Sequence, residues 1–200
     1  MQLAPPPGTT IGLMGGSFNP AHDGHLHVAR LSARALGLDA VWLLVSPQNP
    51  LKSTSGMAPQ GKRLAAARAL VAASGARNIT VTGIEANLRT TRSIDTLRAL
   101  KRRFPLVHFV WLMGADNMLQ FPRWAKWREI TREVPIAVYP RAGFTLKARL
   151  SPAAAYLRAV TLEAGDARLL PQLAAPALVF LEGRTHPASA TAIRAARPAS

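Results

Sequence analysis

The chain has 200 residues, 48% of them hydrophobic, and a formal net charge of +15. Its length fits one domain with a sizeable core, and the lack of cysteine excludes disulfides, thiolate nucleophiles and cysteine zinc sites. With no long apolar span and no signal-peptide pattern, we expect a cytoplasmic protein with no membrane partner. We expect a single domain over residues 1–200, with residues 1–9 as a flexible lead-in.

The basic excess predicts an anionic partner, either nucleic acid or a phosphorylated small molecule. Basic residues are scattered among alanines, apart from the cluster Lys101-Arg102-Arg103, and compositional drift alone would also produce such a surface. We interpret the charge as a generally basic surface with one phosphate site, and we expect no nucleic-acid partner.

Short apolar runs alternate with helical patterns along the chain. Apolar runs typical of buried strands lie at residues 11–14, 40–45, 79–84, 107–113, 136–139 and 177–181. Helical patterns lie at 25–36, 62–73, 93–104, 117–119, 124–132, 152–164 and 189–197. The alternation predicts an α/β fold, a Rossmann-like doubly wound parallel sheet with helices on both faces. Ligands of such sheets bind beyond the carboxyl ends of the strands.

The turn between the first strand and the first helix reads Gly-Gly-Ser-Phe-Asn-Pro-Ala-His-Asp-Gly-His over residues 15–25. Glycine allows close backbone approach to a ligand, and a helix start presents unpaired N–H groups. An imidazole can donate a further N–H to an anionic oxygen. The turn therefore predicts a polyphosphate site that includes His22 and His25.

Three other interpretations of glycine- and histidine-rich segments fit less well. The turn lacks the glycine spacing of the dinucleotide fingerprint. Residues 56–63 match a P-loop except at Arg63, where a magnesium-binding hydroxyl is needed, and they follow a polar loop and not a strand. A zinc site of His22, His25 and His27 is disfavoured because His27 falls on a different helix face.

Residues 16–25 resemble the G-x-F-x-P-x-H-x-G-H signature of the nucleotidyltransferase superfamily. Residues 114–124, 138–144 and 189–194 resemble segments of bacterial nicotinate-nucleotide adenylyltransferases, including the closing S-x-T-x-x-R motif. The resemblance runs from Ile11 to Arg194 and implies an NAD-biosynthetic enzyme that joins nicotinate mononucleotide to ATP, giving deamido-NAD and pyrophosphate. Arg92-Ser93 stands where the family usually has Tyr-Thr, and the chain ends soon after the last motif.

The resemblance also implies roles for individual residues. The implied ATP-binding residues are Gly15, Gly16, Ser17, Phe18, His22, His25, Gly114, Asp116, Ser189, Thr191 and Arg194. The implied catalytic residues among them are His22, His25 and Arg194, and the implied substrate-binding residues are Lys52, Ser93, Trp124 and Arg141. Mg²⁺ would arrive with ATP, so no metal site built by the protein is expected.

Several of these assignments have alternatives. Asp116 is either a ribose-hydroxyl acceptor or a helix N-cap, and Lys52 either meets the mononucleotide phosphate or is an exposed loop lysine. Arg92 either contacts the substrate or is solvated. Trp124 offers a flat face for the pyridine ring, whereas the other tryptophans are interpreted as core or surface packing. The oligomeric state is open between a monomer and a homo-oligomer.

The main alternative function is another adenylyltransferase of the superfamily, with nicotinamide mononucleotide or phosphopantetheine as acceptor. The segment around Trp124 and the chain length argue against phosphopantetheine. A basic nucleic-acid-binding module is the alternative outside the enzymes. It would show steeply salt-dependent binding to oligonucleotides, and it leaves the paired histidines unexplained.

Overall fold

A computed structural model describes residues 3–47 and 56–186. In this part of the chain the strands are β1 Thr10–Gly16, β2 Ala40–Val45, β3 Ile79–Thr82, β4 His108–Gly114, β5 Ile136–Tyr139, β6 Thr161–Leu162 and β7 Leu178–Phe180. The α-helices are α1 Asp23–Leu36, α2 Gln60–Ala73, α3 Ile84–Asn87, α4 Ser93–Arg103, α5 Ala115–Gln120, α6 Trp127–Glu133, α7 Thr145–Arg149 and α8 Pro152–Leu157. Short 3₁₀ segments span Phe121–Arg123, Arg158–Val160 and Ala164–Gln172.

The strands form one parallel sheet in the order β3-β2-β1-β4-β5-β7-β6. The chain starts at the centre of the sheet with β1 and moves outward through β2 to β3. It then crosses back and forms β4 on the other side of β1. The order therefore reverses between β1 and β4, which is the switch point where α/β sheets bind ligands.

Helices cover both faces of the sheet. One core cluster packs α4, α5 and α6 against side chains such as Leu13 and Trp111. A second cluster packs α1, α2 and the segment 164–172 against the opposite face, including Leu43 and Leu112. The predicted doubly wound fold is confirmed, and so is the core placement of Trp42 and Trp111, both of which are buried.

Several predicted boundaries differ from the observed ones. The first helix begins at Asp23, and the third strand ends at Thr82, so that Ile84 already belongs to α3. The pattern at 124–132 becomes a helix only from Trp127, because Trp124 has an extended backbone with ψ 141°. The helix predicted at 152–164 is shorter in the structure. Helix α8 ends at Leu157, and β6 follows within the predicted range, since β-branched residues suit a strand.

The ends of the described part add two observations. Residues 3–9, expected as a flexible lead-in, include a hydrogen bond from the Gly8 N–H to the Leu106 carbonyl oxygen at 2.7 Å. The predicted helix at 189–197 lies outside the described residues. Among the described helices, none combines the length and the apolar character needed to cross a membrane.

Candidate active site

The candidate site lies at the carboxyl ends of β1 and β4, which are neighbours in the sheet. Two glycines at these ends are required by close contacts. A Cβ atom on Gly15 would lie 2.9 Å from Cη2 of Trp111, and one on Gly114 would lie 2.5 Å from Oδ1 of Asp116. Any larger residue would displace a side chain of the site, so the two predicted glycines keep this edge of the sheet open.

The turn after β1 is shaped by Phe18. Its φ of +48° is in the left-handed region, which a bulky residue seldom adopts. The ring is buried and lies 4.7 Å, centroid to centroid, from the ring of His25. Burial of the ring offsets the backbone strain.

The two histidines lie at the amino end of α1. His22 is the residue before the helix, and the Nδ1 atom of His25 accepts a hydrogen bond from the His22 backbone N–H at 3.2 Å. The two rings are 3.8 Å apart. When the His25 ring is neutral, its proton is therefore on Nε2, where it can be donated.

The His22 ring is in an unusual environment for a helix-start residue. Only 7% of the residue is exposed, and its Nδ1 atom has no hydrogen-bond partner within residues 3–47 and 56–186. Burial lowers the pKa of His22, and the nearby charges of Arg141 and His186 lower it further. At neutral pH the free protein thus holds a neutral imidazole there, close to two other basic side chains.

Arg141 connects the end of β5 to the end of β4. Its Nε atom donates to Oδ1 of Asp116 at 3.3 Å, and both side chains are partly exposed. Asp116 lies in the first turn of α5, and the residue before that helix is Gly114, so Asp116 is not the N-cap. Arg141 also acts electrostatically on His22, so the turn after β1 and the ends of β4 and β5 converge.

Two of the predicted acceptor-side residues, Ser93 and Trp124, lie on the sheet face covered by α4. Ser93 is the first residue of α4, and Arg92 before it is exposed. Trp124 is partly buried and packs edge-to-face against Trp111, with ring centroids 6.0 Å apart. Because the Trp111 ring also abuts Gly15, it links Trp124 to the glycine turn.

Four predicted site residues lie outside the described part of the chain: Lys52, Ser189, Thr191 and Arg194. Among the described ones, the structure brings Gly15, Gly16, Ser17, Phe18, His22, His25, Gly114, Asp116 and Arg141 to one edge of the sheet. Ser93 and Trp124 lie on the α4 face.

Sequence reasoning missed two structural features beside the turn. Arg63 is buried in α2 and donates to four backbone carbonyls, one of them in the glycine turn. The sequence held one signal for this role of Arg63: it is spaced to lie on the same buried stripe of α2 as Ala67 and Val71. A charged residue on such a stripe needs partners inside the protein. In addition, His27 and Tyr139 both bond the Arg184 carbonyl oxygen, which anchors the chain after β7.

Comparison with known proteins shows the family to which the chain belongs. Residues 13–196 match the family model described as cytidylyltransferase-like, so the chain is a nucleotidyltransferase. A probable nicotinate-nucleotide adenylyltransferase of Parvibaculum lavamentivorans is 63% identical over 190 residues, covering 94% of this chain and 92% of the relative. A probable nicotinate-nucleotide adenylyltransferase of Erythrobacter litoralis is 49% identical over 187 residues, covering 94% and 84%. The chain belongs to the nicotinate-nucleotide adenylyltransferase family.

A solved structure shares the fold. The nicotinic acid mononucleotide adenylyltransferase of Plasmodium falciparum, complexed with NaAD, superposes with a TM-score of 0.60 over 72% of each chain. Its sequence identity is 19%, so this likeness concerns the fold alone.

Proposed function

We propose that this protein transfers the adenylyl group of ATP to nicotinate mononucleotide, forming deamido-NAD and pyrophosphate. The observation that carries the proposal is the position of His22 and His25 at the start of a 14-residue helix, directly after the central strand. This is an anion site at the switch point of the sheet. The acceptor is assigned from the activity in the names of the relatives.

The chemistry needs positioning and charge stabilisation. An oxygen of the mononucleotide 5′-phosphate attacks the α-phosphorus of ATP, a new P–O bond forms, and the bond to the β-phosphate oxygen breaks to release pyrophosphate. The attacking oxygen is already ionised at neutral pH, so no general base is required. Donors that are fixed around the α-phosphate lower the barrier, as they do in phosphoryl transfer generally.

We assign these donors to the turn and the amino end of α1. Backbone N–H groups of Gly16, Ser17 and Phe18, together with the His22 and His25 rings, would surround the triphosphate. His22 is neutral in the free protein, and the negative charge of ATP opposes the electrostatic effect of Arg141, so its pKa should rise on binding.

The remaining roles divide between the two substrates. Asp116 uses one carboxylate oxygen for Arg141, so its second oxygen is available to accept from a ribose hydroxyl. Arg141, Ser93, Trp124 and Lys52 are assigned to the mononucleotide. Ser189, Thr191 and Arg194 are assigned to ATP and its pyrophosphate leaving group, since a guanidinium binds phosphate in a bidentate manner. Gly15 and Gly114 give the nucleotide access.

Magnesium is proposed to enter with ATP as part of that substrate, where it would offset the charge of the phosphates. We place the reaction in the cytoplasm because its substrates are intracellular nucleotides, and we assign it nucleotides and not nucleic acid as partners. The oligomeric state is open to measurement by light scattering.

A panel of acceptors tests the proposal. Purified protein is given ATP and Mg²⁺ with nicotinate mononucleotide, nicotinamide mononucleotide or phosphopantetheine, and pyrophosphate release yields kcat/KM for each. We expect the highest kcat/KM with nicotinate mononucleotide. Release with none of the three would contradict the enzymatic function, and a preference for phosphopantetheine would contradict the proposed acceptor.

A further inference from the structure

Arg63 is a buried cation directly behind the phosphate-binding turn. It lies in the first turn of α2 and is 3% exposed. Its Nη1 atom donates to the Ser17 carbonyl oxygen at 2.6 Å and to the Ser46 carbonyl oxygen at 3.0 Å. Its Nε and Nη2 atoms donate to the carbonyl oxygens of Ala58 at 2.8 Å and Pro47 at 2.9 Å. One side chain thus joins the turn after β1, the end of β2 and the segment before α2.

The charge of Arg63 is not balanced by an acid. Among the described residues no carboxylate pairs with its guanidinium, and burial is the cause that lowers its pKa. An arginine nevertheless keeps its proton in proteins. Four carbonyl dipoles offset part of the cost of burying this charge, and the remaining positive potential extends to the adjacent turn.

The bond to Ser17 also fixes the direction of a donor. In a trans peptide the C=O and the N–H point in opposite directions. Because the Ser17 carbonyl points toward Arg63 and α2, the Phe18 N–H points away from them. That N–H donates to no other residue in the described part of the chain. The left-handed φ of Phe18 holds this peptide in a shape that suits anions.

We propose that Arg63 is a positioning residue for adenylyl transfer, which orients the Ser17–Phe18 peptide so that the Phe18 N–H donates to the triphosphate of ATP. The inference rests on the proposed function. Arg63 is buried and its guanidinium is bonded to backbone carbonyls, so it acts through the turn. Asn19 supports the same arrangement, because its side chain donates to the Gly56 carbonyl oxygen at 3.2 Å and accepts from the Ala58 N–H at 3.4 Å.

The test compares Arg63→Lys and Arg63→Met with the same substitutions at Arg68, an exposed arginine on the same helix. Lysine keeps the charge but cannot hold four carbonyls in a planar fork, and methionine removes both properties. We expect both Arg63 variants to lower kcat about 100-fold, as a misplaced donor does. We expect KM for ATP to rise at least about tenfold, while KM for nicotinate mononucleotide stays within about threefold.

These constants separate positioning from a purely structural role. A variant that only loses folded protein lowers the apparent kcat and leaves both KM values unchanged, so that pattern would overturn the inference. Folded variants with constants like those of the Arg68 controls would also overturn it. Wild-type protein that forms no dinucleotide would instead refute the proposed function, before any variant is compared.

A second measurement needs no variant of Arg63 and decides the matter if those variants fail to fold. The amide signal of Phe18 is followed in ¹⁵N-labelled wild-type protein while ATP and Mg²⁺ are added without mononucleotide. A shift and slower hydrogen exchange of this amide would support the inference. An unchanged Phe18 amide at saturating ATP would overturn it.

Discussion

At the scale of single residues, the environment of His22 supports its proposed place in the reaction site. Its ring is buried, one of its nitrogens has no partner in the described part of the chain, and Arg141 lies close enough to lower its pKa. A polar atom buried in this way calls for a ligand or a water molecule. Under the proposed function, the glycines of this turn would give access and the histidines would supply donors.

Replacement of His22 by alanine should remove a donor to the α-phosphate and leave the fold intact. We expect kcat for deamido-NAD formation to fall by at least ~100-fold, the typical effect of losing one such donor. Steady-state kinetics and circular dichroism provide the two measurements. His108→Ala is the matched control, since this exposed histidine begins β4 at the opposite edge of the sheet. A near-normal rate for His22→Ala would show that His22 is a structural cap.

At the scale of single residues, the sequence predicted those residues whose signal lies within one short segment of the chain. Glycine spacing and histidine spacing are visible within one turn, so Gly15, His22 and His25 could be predicted to lie together. For Arg63 the sequence offered only its place on the buried stripe of α2, because its bonds to the turn after β1 and to the end of β2 join segments that are separate along the chain. The Phe18 conformation was missed as well, since side-chain burial that offsets a strained φ appears only in the folded protein.

Among the elements, the junction between α3 and α4 contains a buried acid. Glu85 lies in α3, and its Oε1 atom accepts a hydrogen bond from the Thr96 hydroxyl of α4 at 3.2 Å. Its Oε2 atom is buried and has no partner among the described residues. Burial raises the pKa of Glu85 to about 7. This acid therefore ties α3 to α4, the helix that begins at Ser93.

The Glu85 environment predicts a pH dependence of stability. The folded state binds the Glu85 proton more tightly than the unfolded state, whose pKa is near the ordinary 4.5. The free energy of unfolding should therefore fall as pH rises from about 4.5 to about 7, by up to about 3 kcal/mol from this group, and change little from it at higher pH. Glu85→Gln should remove this component.

Urea unfolding at pH 5 and at pH 8 measures the effect. The control is Glu163→Gln, which changes an exposed glutamate and should keep the wild-type difference between the two pH values. An equal pH dependence in wild type and Glu85→Gln would show that Glu85 does not titrate with a raised pKa.

The elements themselves were predictable in proportion to their length and pattern. Helices α1 and α4 are amphipathic and α2 is a long alanine-rich segment, and all three lie where the sequence indicated, within two residues at their boundaries. The short helices α3 and α7 are too brief to show a period, so they were missed. Strand β6 has only two residues, and it is held by pairing with β7, which a local pattern cannot reveal.

For the whole molecule, the strand order explains why residues distant in sequence meet. Placing β1 between β2 and β4 brings the turn at 15–25 next to Asp116 and Arg141. The alternation of strands and helices was enough to predict a doubly wound sheet, because parallel strands need crossover helices. The ion pair of Asp116 and Arg141 was not predictable, since each residue was assigned to a different substrate.

The net charge of +15 also belongs to this scale. A basic surface raises the local concentration of anionic substrates and speeds their encounter, which suits two nucleotide substrates. It does not define the site, because individual basic residues serve different purposes. Arg63 binds carbonyls, Arg98 pairs with Glu129 and Glu133, and Arg141 pairs with Asp116.

The most direct test of the account follows the oxygen atoms of the reaction. Nicotinate mononucleotide with an ¹⁸O-labelled 5′-phosphate is incubated with the protein, unlabelled ATP and Mg²⁺, and the products are identified by mass spectrometry. Attack of the mononucleotide phosphate on the α-phosphorus of ATP predicts deamido-NAD that retains all of the label and pyrophosphate that carries none. Labelled pyrophosphate, or ADP in place of pyrophosphate and dinucleotide, would contradict adenylyl transfer at this site.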